Sequence, residues 1–210
     1  MTNGLRERKK IETRRVIADA ALNLAIERGP GNVTIDDIAA AADVSPRTVF
    51  NHFPTKDAAI LDIDPRRRGR IAESIAERPS DETPFDAVRA VFTDRLTSRD
   101  DLGIVWRARA KLVSENPQLA AAHAAAQHEW EEELAAVVAR RCGVDDDHRY
   151  PRIVVATVLA MTRLALERAV TARRPTAATV RLELDQAFDT IARGLTPPED
   201  VAGGRSGGAT

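Results

Sequence analysis

The segment from Val33 to Lys56 constrains the fold more than any other part of the chain, because it has the pattern of two short helices joined by a tight turn. Thr34 is placed to cap the first helix, and Asp37, three residues later, completes a capping-box-like pattern. Ser45 is a favoured N-cap, and Pro46 takes the first position of the second helix, where its missing N–H costs nothing. The segment therefore predicts a helix-turn-helix, whose second helix can enter the major groove of DNA.

Apolar positions predict the inward faces of both short helices. In the first helix they recur at spacings of three and four, as on one face of an amphipathic helix. A buried helical pair is the alternative interpretation, but the caps, the turn, the apolar face and the polar face agree on a DNA-binding motif. The predicted inward residues are Ile35, Ile38, Ala39, Val44, Val49, Phe50 and Phe53.

We predict that the outward polar side chains of the second helix contact DNA. Arg47 is the expected base contact, because arginine can donate two hydrogen bonds to one base edge. Thr48 and Asn51 are expected either to contact bases or to position the helix on the DNA. Neighbouring polar and basic groups are expected to hold phosphates, which fix register rather than sequence. The full predicted DNA-binding set is Thr34, Ser45, Pro46, Arg47, Thr48, Asn51, His52, Lys56, Lys9, Lys10 and Arg14.

The N-terminal end of the chain is locally basic. Residues 1–15 hold six basic and two acidic side chains, a net charge of +4, whereas the whole chain has a net charge of -1. We predict an arm that contacts phosphates or reaches a minor groove, followed by a first helix from about Thr13 to Arg28. A solvated terminus without this role is the alternative.

The remaining sequence predicts an all-α fold with nine helices and no strands. Aromatic residues make up only 4% of the chain, so that alanine, leucine and valine carry the interior, which favours closely packed helices. We expect a DNA-binding domain over 1–57, a helical effector-binding and dimerisation domain over 58–195, and a disordered tail over 196–210. The fourth helix, from about Lys56 to Glu77, should kink or break at Asp64-Pro65, since a residue before proline disfavours helical geometry.

The last two predicted helices suggest self-association. The eighth, from about Tyr150 to Ala172, is apolar on more than one face, which indicates burial on several sides. The ninth, from about Ala177 to Leu195, has an apolar stripe. We therefore predict a homodimer through helices eight and nine, with Val158 and Phe188 as positions that lie either in the interface or in the subunit core.

Composition and motifs argue against several other classes. No stretch is long and apolar enough to span a membrane, and the N-terminus has no apolar core like that of a secretory signal. The single Cys142 is typical of a reducing cytoplasm, where we expect the protein. His123 and His128 are five residues apart rather than four, so we expect no metal site. We also expect no cofactor, because neither a nucleotide loop nor a catalytic constellation is present.

The helices after residue 60 exceed what a DNA reader needs, and we predict that they enclose an effector pocket. Its walls should be apolar, and arginines are available to hold an anionic group. Ordinary core is the alternative for each apolar residue, and a solvated face is the alternative for the arginines. The candidates are Phe92, Trp106, Arg107, Arg109, Trp130, Met161, Arg66 and Arg67.

These patterns resemble the DNA-binding domain of the TetR/AcrR family of bacterial transcription regulators. Four positions depart from the family pattern: Asp43 for glycine, Phe50 for tyrosine, Ala25 for phenylalanine and Ala59 for leucine. Aspartate tolerates a left-handed turn, so we expect the turn to be kept. The matching residues are Thr34, Ile38, Ala39, Val44, Ser45, His52, Phe53 and Lys56, with Phe50 matching as an aromatic residue, and Ala20, Ala21, Leu24, Glu27 and Gly29 upstream.

A second resemblance covers the C-terminal part. The segment RPSDETPFDAVR and the run ENPQLAAAHAAAQHEWEEELA are similar to the C-terminal domain of mycofactocin-type regulators. Together the resemblances imply a homodimeric repressor that binds a palindromic operator and is released by an apolar, anionic effector such as acyl-CoA or a fatty acid. The alternatives are a DNA-binding regulator without a small-molecule effector, controlled by concentration or a protein partner, and an enzyme with an incidental helix-turn-helix.

Overall fold

The computed structural model describes residues 3–98, 102–171 and 176–194, with side chains described from residue 8 and, after the first gap, from residue 104. These ranges contain α-helices and no strand, so the all-α prediction is confirmed. A single 3-10 turn, Pro30–Asn32, follows the first helix. The ten helices are α1 Asn3–Arg28, α2 Ile35–Ala41, α3 Pro46–His52, α4 Lys56–Leu61, α5 Pro65–Ala76, α6 Pro84–Leu96, α7 Leu102–Glu115, α8 Pro117–Cys142, α9 Arg149–Ala169 and α10 Ala177–Ala192. The tail predicted over 196–210 lies outside the described residues.

The helix count differs from the prediction because the fourth predicted helix is two helices. Asp62 ends α4 in the left-handed conformation, with φ 51°. Asp64 then caps α5, its carboxylate accepting the N–H of Arg66, and Pro65 occupies the first helical position. The Asp-Pro pair therefore starts a new helix rather than bending a continuous one, and the described residues hold ten helices instead of nine.

The predicted start of the first helix is also wrong. α1 begins at Asn3 rather than near Thr13, so the basic segment is part of the helix. Lys9 and Lys10 are exposed on it. Lys9 and Lys10 therefore project from α1 itself rather than from an arm that precedes it.

Two apolar cores divide the molecule. The first is built from α1 to α4 around Ile17, Ile38 and Phe53, and it also contains Leu112 of α7 and Leu119 of α8. The second is built from α5, α6, α8, α9 and α10. We call α1–α4 the N-terminal unit and α5–α10 the C-terminal unit. Because α7 and α8 contribute to the first core, the two units share packed surface.

Helices α9 and α10 pack against each other and correspond to the eighth and ninth predicted helices. Val158 and Phe188 are fully buried, so both lie in the subunit core. On the outside of this pair, Ile153, Leu164 and Leu182 are 56%, 41% and 56% exposed. This pair of helices thus has an apolar outer face that its own subunit does not cover. Within the described residues, no helix is long and apolar enough to cross a membrane.

Candidate DNA-binding surface

The turn between α2 and α3 is formed by local contacts that the sequence predicts. The Thr34 hydroxyl accepts the Asp37 N–H at 3.1 Å, and the Thr34 N–H donates to the Asp37 carboxylate at 2.9 Å, which completes a capping box. The Ser45 hydroxyl accepts the Thr48 N–H at 3.1 Å. Asp43 has φ 52°, so the residue in place of the family's glycine does adopt the left-handed conformation. The polar groups that start both helices are therefore paired within the motif itself.

The polar face of α3 is turned to solvent. Arg47 and Asn51 are exposed, while Thr48 is half-buried with its hydroxyl 2.9 Å from that of Ser45. The prediction that Phe50 faces inward is wrong, because its side chain is 56% exposed. Val49 and Phe53, four residues apart, form the inward face, and Phe50 projects from the helix about 100° away from Val49. Phe50 therefore belongs to the outer surface beside Asn51.

Arg14, predicted to contact DNA, has its guanidinium in contacts within the fold. Its guanidinium donates to the carbonyl oxygens of His52 and Ile63, the second at 2.6 Å, and lies 3.8 Å from the centre of the Phe53 ring. Its Nε is 3.1 Å from the Asp64 carboxylate, and the side chain is only 14% exposed. Arg14 is thus an internal clasp that joins α1 to the end of α3 and to the linker before α5.

Lys56 also has contacts within the fold. Its ammonium donates to the carbonyl oxygens of Pro30 at 2.8 Å and Val33 at 3.0 Å. Two of the three N–H donors of the ammonium are therefore used to hold the segment before α2. One donor remains for a phosphate, so the contact to DNA stays a prediction.

Asp62 connects the linker to the C-terminal unit. Its carboxylate pairs with Arg67 at 2.8 Å and lies 3.7 Å from Arg14 Nε. From α7, Arg109 donates to the Ile60 carbonyl at 3.0 Å and approaches Asp62 at 4.0 Å. Arg67 and Arg109, both predicted to hold an effector anion, are therefore part of the junction between the two units.

The three consecutive arginines of α5 have different surroundings. Arg67 is in the junction, and Arg68 lies 5.7 Å from the centre of the Trp130 ring. Arg66 is exposed and borders a cleft of about 230 Å³ that also contains Lys10 and Asn51. Arg66 is thus on the side of the DNA-binding residues, not on the side of the predicted effector pocket.

Electrostatics around His52 reflect the density of positive charge there. Burial lowers the pKa of His52, and the charges of Arg14, Lys10 and Arg66 lower it further. Asp64 acts in the opposite direction with a smaller effect. The lowered pKa favours the neutral imidazole, which can accept a hydrogen bond at one ring nitrogen and donate one at the other.

The predicted effector residues are only partly brought together. Phe92 and Trp130 are buried and stacked, with ring centres 6.4 Å apart. Trp106 and Met161 are half-buried against the same core, whereas Arg107 is exposed. The apolar candidates therefore lie in one region, and Arg107 and Arg109 are not buried with them.

Two buried polar residues of the C-terminal unit are not among the predicted effector residues. Thr93 of α6 and Thr162 of α9 are 5% and 8% exposed, and their hydroxyls have no hydrogen-bond partner among the described residues. Thr162 interrupts an otherwise apolar helix face, since it is four residues after Val158 and three before Ala165. A threonine among apolar residues on one helix face is thus a sequence signal for a polar group in the core.

A capped helix-turn-helix with an exposed polar second helix, joined to a larger helical unit, defines a DNA-binding transcription regulator. Two family models match: "Bacterial regulatory proteins, tetR family" over residues 17–62 and "MftR C-terminal domain" over residues 82–196. The second match covers more than half of the chain, and the chain belongs to the TetR family.

Named relatives are transcription regulators rather than enzymes, as predicted. HTH-type transcriptional regulator TcmR of Streptomyces glaucescens is 33% identical over 168 residues, which cover 77% of this chain and 74% of TcmR. MftR of Mycobacterium tuberculosis, named as a mycofactocin biosynthesis regulator, is 28% identical over 188 residues, which cover 90% of this chain and 93% of MftR. The likeness to MftR therefore extends over most of both chains.

Solved structures show the same fold. A complex of SmeT with triclosan has a TM-score of 0.53 at 21% identity and covers 90% of this chain and 96% of SmeT. FadR of Thermus thermophilus, a TetR-family repressor in complex with lauroyl-CoA, has a TM-score of 0.52 at 24% identity and covers 89% of this chain and 96% of FadR. The predicted TetR-like architecture is confirmed.

Proposed function

We propose that the protein is a homodimeric repressor that reads a palindromic operator with α3 and is released by an apolar effector with an anionic group. The observation that carries the DNA-binding part is the exposed polar face of α3 on a fully capped helix-turn-helix. Arg47 is the main base contact, and Thr48 and Asn51 complete the reading face. Thr34, His52, Lys56 and the exposed Lys9 and Lys10 hold phosphates, while Ser45 and Pro46 fix the start of α3.

The apolar outer face of α9 and α10 supports the dimer. Ile153 and Leu182 are each 56% exposed on this face, and Leu164 extends it along α9. The small residues Ala156 and Ala160 are exposed between Ile153 and Leu164, which allows close approach of a second copy. Pairing two copies through this face places two α3 helices in one complex, as a palindromic operator requires.

The dimer is tested by charging this face. Leu182→Asp should give a folded monomer that loses palindromic binding, because a carboxylate cannot be buried unpaired in the interface. Ile104→Asp is the matched control, since Ile104 is 62% exposed on α7. Sedimentation and DNA-binding anisotropy report both properties. A Leu182→Asp protein that stays dimeric would contradict the proposed interface.

The effector part is supported by the C-terminal unit. It contains the stacked Phe92 and Trp130 and also two buried hydroxyls without a partner among the described residues, those of Thr93 and Thr162. An unpaired buried hydroxyl costs about 1–3 kcal/mol, and a polar group of a bound ligand would offset that cost. The arrangement suits a ligand that is mostly apolar and carries a few polar atoms.

In this proposal, an effector bound in the C-terminal unit acts on DNA binding through the junction around Asp62. Arg109 of α7 contacts the end of α4. Arg14 lies beside the carboxylates of Asp62 and Asp64 and connects them to α1 and α3. A ligand that moves α7 therefore changes the position of α3 without a continuous helix between them. Tenfold weaker DNA binding requires about 1.4 kcal/mol of difference in ligand affinity between the two states.

Lauroyl-CoA and lauric acid are suitable test compounds, because the chain shares its fold with a regulator described in complex with lauroyl-CoA. Each is titrated, below its micelle concentration, against the protein–operator complex by fluorescence anisotropy. We expect release of DNA and, in the free protein, a raised melting temperature. Absence of both effects with both compounds would remove acyl chains as effectors and favour the regulator without a small-molecule effector.

A further inference from the structure

A cleft of about 230 Å³ extends the surface beside α3 beyond the helix-turn-helix. One wall is the C-terminal half of α3, including Phe50 and Asn51. The opposite walls are α1, with Lys10, and the first turns of α5, with Arg66 and Arg70. The cleft therefore brings residues of both units next to two side chains, Lys10 and Asn51, that are expected to face DNA.

The charge of this cleft is mostly uncompensated. Arg66 and Arg70 have no carboxylate within ion-pair distance among the described residues, in contrast to Arg67. The one acidic lining residue, Asp64, is paired with Arg14 at 3.1 Å and is 10% exposed. The cleft thus has three basic side chains, those of Lys10, Arg66 and Arg70, available to an anion.

The apolar part of the cleft fits a sugar-phosphate chain better than an isolated ion. Phe50 is 56% exposed and Ile11 is 49% exposed, and Pro54 and Pro65 complete an apolar floor between the basic groups. A deoxyribose can pack on such a surface while the phosphates on either side meet the basic rim. Contacts of this kind position DNA without reading its sequence.

We propose that Arg66 and Arg70, one helical turn apart on α5, contact the DNA backbone next to the groove segment read by α3. The inference rests on DNA binding through α3 and adds α5, a helix of the C-terminal unit, to the DNA interface. A change in the C-terminal unit that turns α5 then removes phosphate contacts directly, in addition to moving α3.

The test measures DNA affinity of Arg66→Gln and Arg70→Gln against salt concentration. Each variant should bind operator and random DNA more weakly by a similar factor. The slope of log K against log salt should become less steep by about 0.9 for each lost phosphate contact. Arg66→Lys should retain most of the slope, because the point charge is kept.

Arg140→Gln is the matched control. Arg140 is exposed near the far end of α8, about 30 Å along that helix from Leu119 of the first core. It should leave both affinity and slope unchanged. Circular dichroism and melting temperature of each variant show whether the fold is kept, and Arg66→Lys provides a folded comparison if Arg66→Gln is unstable.

Three results would overturn the proposal. One is a salt slope that stays unchanged when Arg66 and Arg70 are both replaced by glutamine, while Arg47→Ala loses operator binding, which leaves the α3 assignment intact. Another is a loss of specificity for only one base position, which would make Arg66 a base contact. The third result combines two measurements. Inorganic pyrophosphate raises the melting temperature of the wild type but not of Arg66→Gln, and the two proteins have the same slope of log K against log salt for DNA. Together these would assign the cleft to a free anion.

Discussion

The two units satisfy their polar groups in different ways. In the N-terminal unit, the hydroxyls of Thr34, Ser45 and Thr55 each accept a backbone N–H at the start of a helix. In the C-terminal unit, Thr83 and Thr176 cap helices in the same way, but the hydroxyls of Thr93 and Thr162 are buried without a partner among the described residues. Among the described residues, the N-terminal unit therefore has no buried hydroxyl without a partner, and its paired helix caps favour one geometry, which suits a reading surface. An interior with unpaired donors gains from binding something polar, which suits a sensor.

The largest effect on stability is expected at the junction between the N-terminal and C-terminal units. Arg14→Ala should lower the free energy of unfolding by about 3 kcal/mol, because it leaves the nearly buried Asp64 without its partner and frees two carbonyl oxygens. Arg15→Ala is the matched control. Arg15 pairs with Asp19 on the surface at 3.5 Å, with the two side chains 53% and 42% exposed. Its loss should cost less than about 1 kcal/mol.

Urea denaturation of the two variants measures the difference. Equal effects of Arg14→Ala and Arg15→Ala would show that the clasp does not stabilise the fold. They would also return Arg14 to the phosphate-contact role that the sequence predicts.

The same substitution in the two units should have opposite signs. Thr34→Val removes a helix cap and should destabilise by about 1 kcal/mol. Thr162→Val removes a hydroxyl that has no partner in the described structure and should stabilise by about 1 kcal/mol, since burying an unpaired hydroxyl is unfavourable. Thermal unfolding in the absence of ligand measures both. Destabilisation by Thr162→Val would show that its hydroxyl is hydrogen-bonded and would weaken the argument for a polar ligand.

A smaller effect concerns pH and the N-terminal unit alone. In the free protein, burial and the charges of Arg14 and Lys10 lower the pKa of His52. A phosphate beside His52 would raise that pKa, so that DNA binding takes up a proton. Affinity should therefore rise as the pH falls from about 7.5 towards about 6, around the ordinary pKa of histidine.

His52→Gln should flatten this dependence. A wild-type affinity that is constant over the same range would place His52 away from phosphate. The stability of the free protein should change in the other direction, because a lowered folded-state pKa makes stability fall as the pH drops below the unfolded pKa of about 6.5.

What the sequence predicts correctly depends on contacts between near neighbours. The caps at Thr34 and Ser45 join residues three positions apart, and the backbone hydrogen bonds of the turn at Asp43 span three and five positions. The types of these neighbouring residues alone specify them. The clasp of Arg14 involves carbonyl oxygens 38 and 49 residues away. No local pattern predicts that a basic residue of α1 is used in this way.

Two other errors concern the local conformation of single residues. Phe50 is aromatic, and its residue type therefore favours the core. Val49 and Phe53 already occupy the inward face at the seven-residue helix α3, so Phe50 is exposed. Asp64-Pro65 correctly indicates a disturbed helix, whereas the left-handed Asp62 that makes it a break has no pattern of its own. The domain boundary at residues 57 and 58, the DNA contacts and the effector residues stay predictions.

The selection of operator DNA from a random library tests the central claim most directly, since it reveals the preferred bases and their symmetry together. The wild-type protein should select a palindrome whose half-sites lie about one helical turn, or a multiple of it, apart. Arg47→Ala, selected in parallel, should lose preference at one base pair of each half-site, at a cost of about 1–3 kcal/mol. A selected sequence without two-fold symmetry, or one that Arg47→Ala reads as the wild type does, would contradict a dimer that reads DNA through α3.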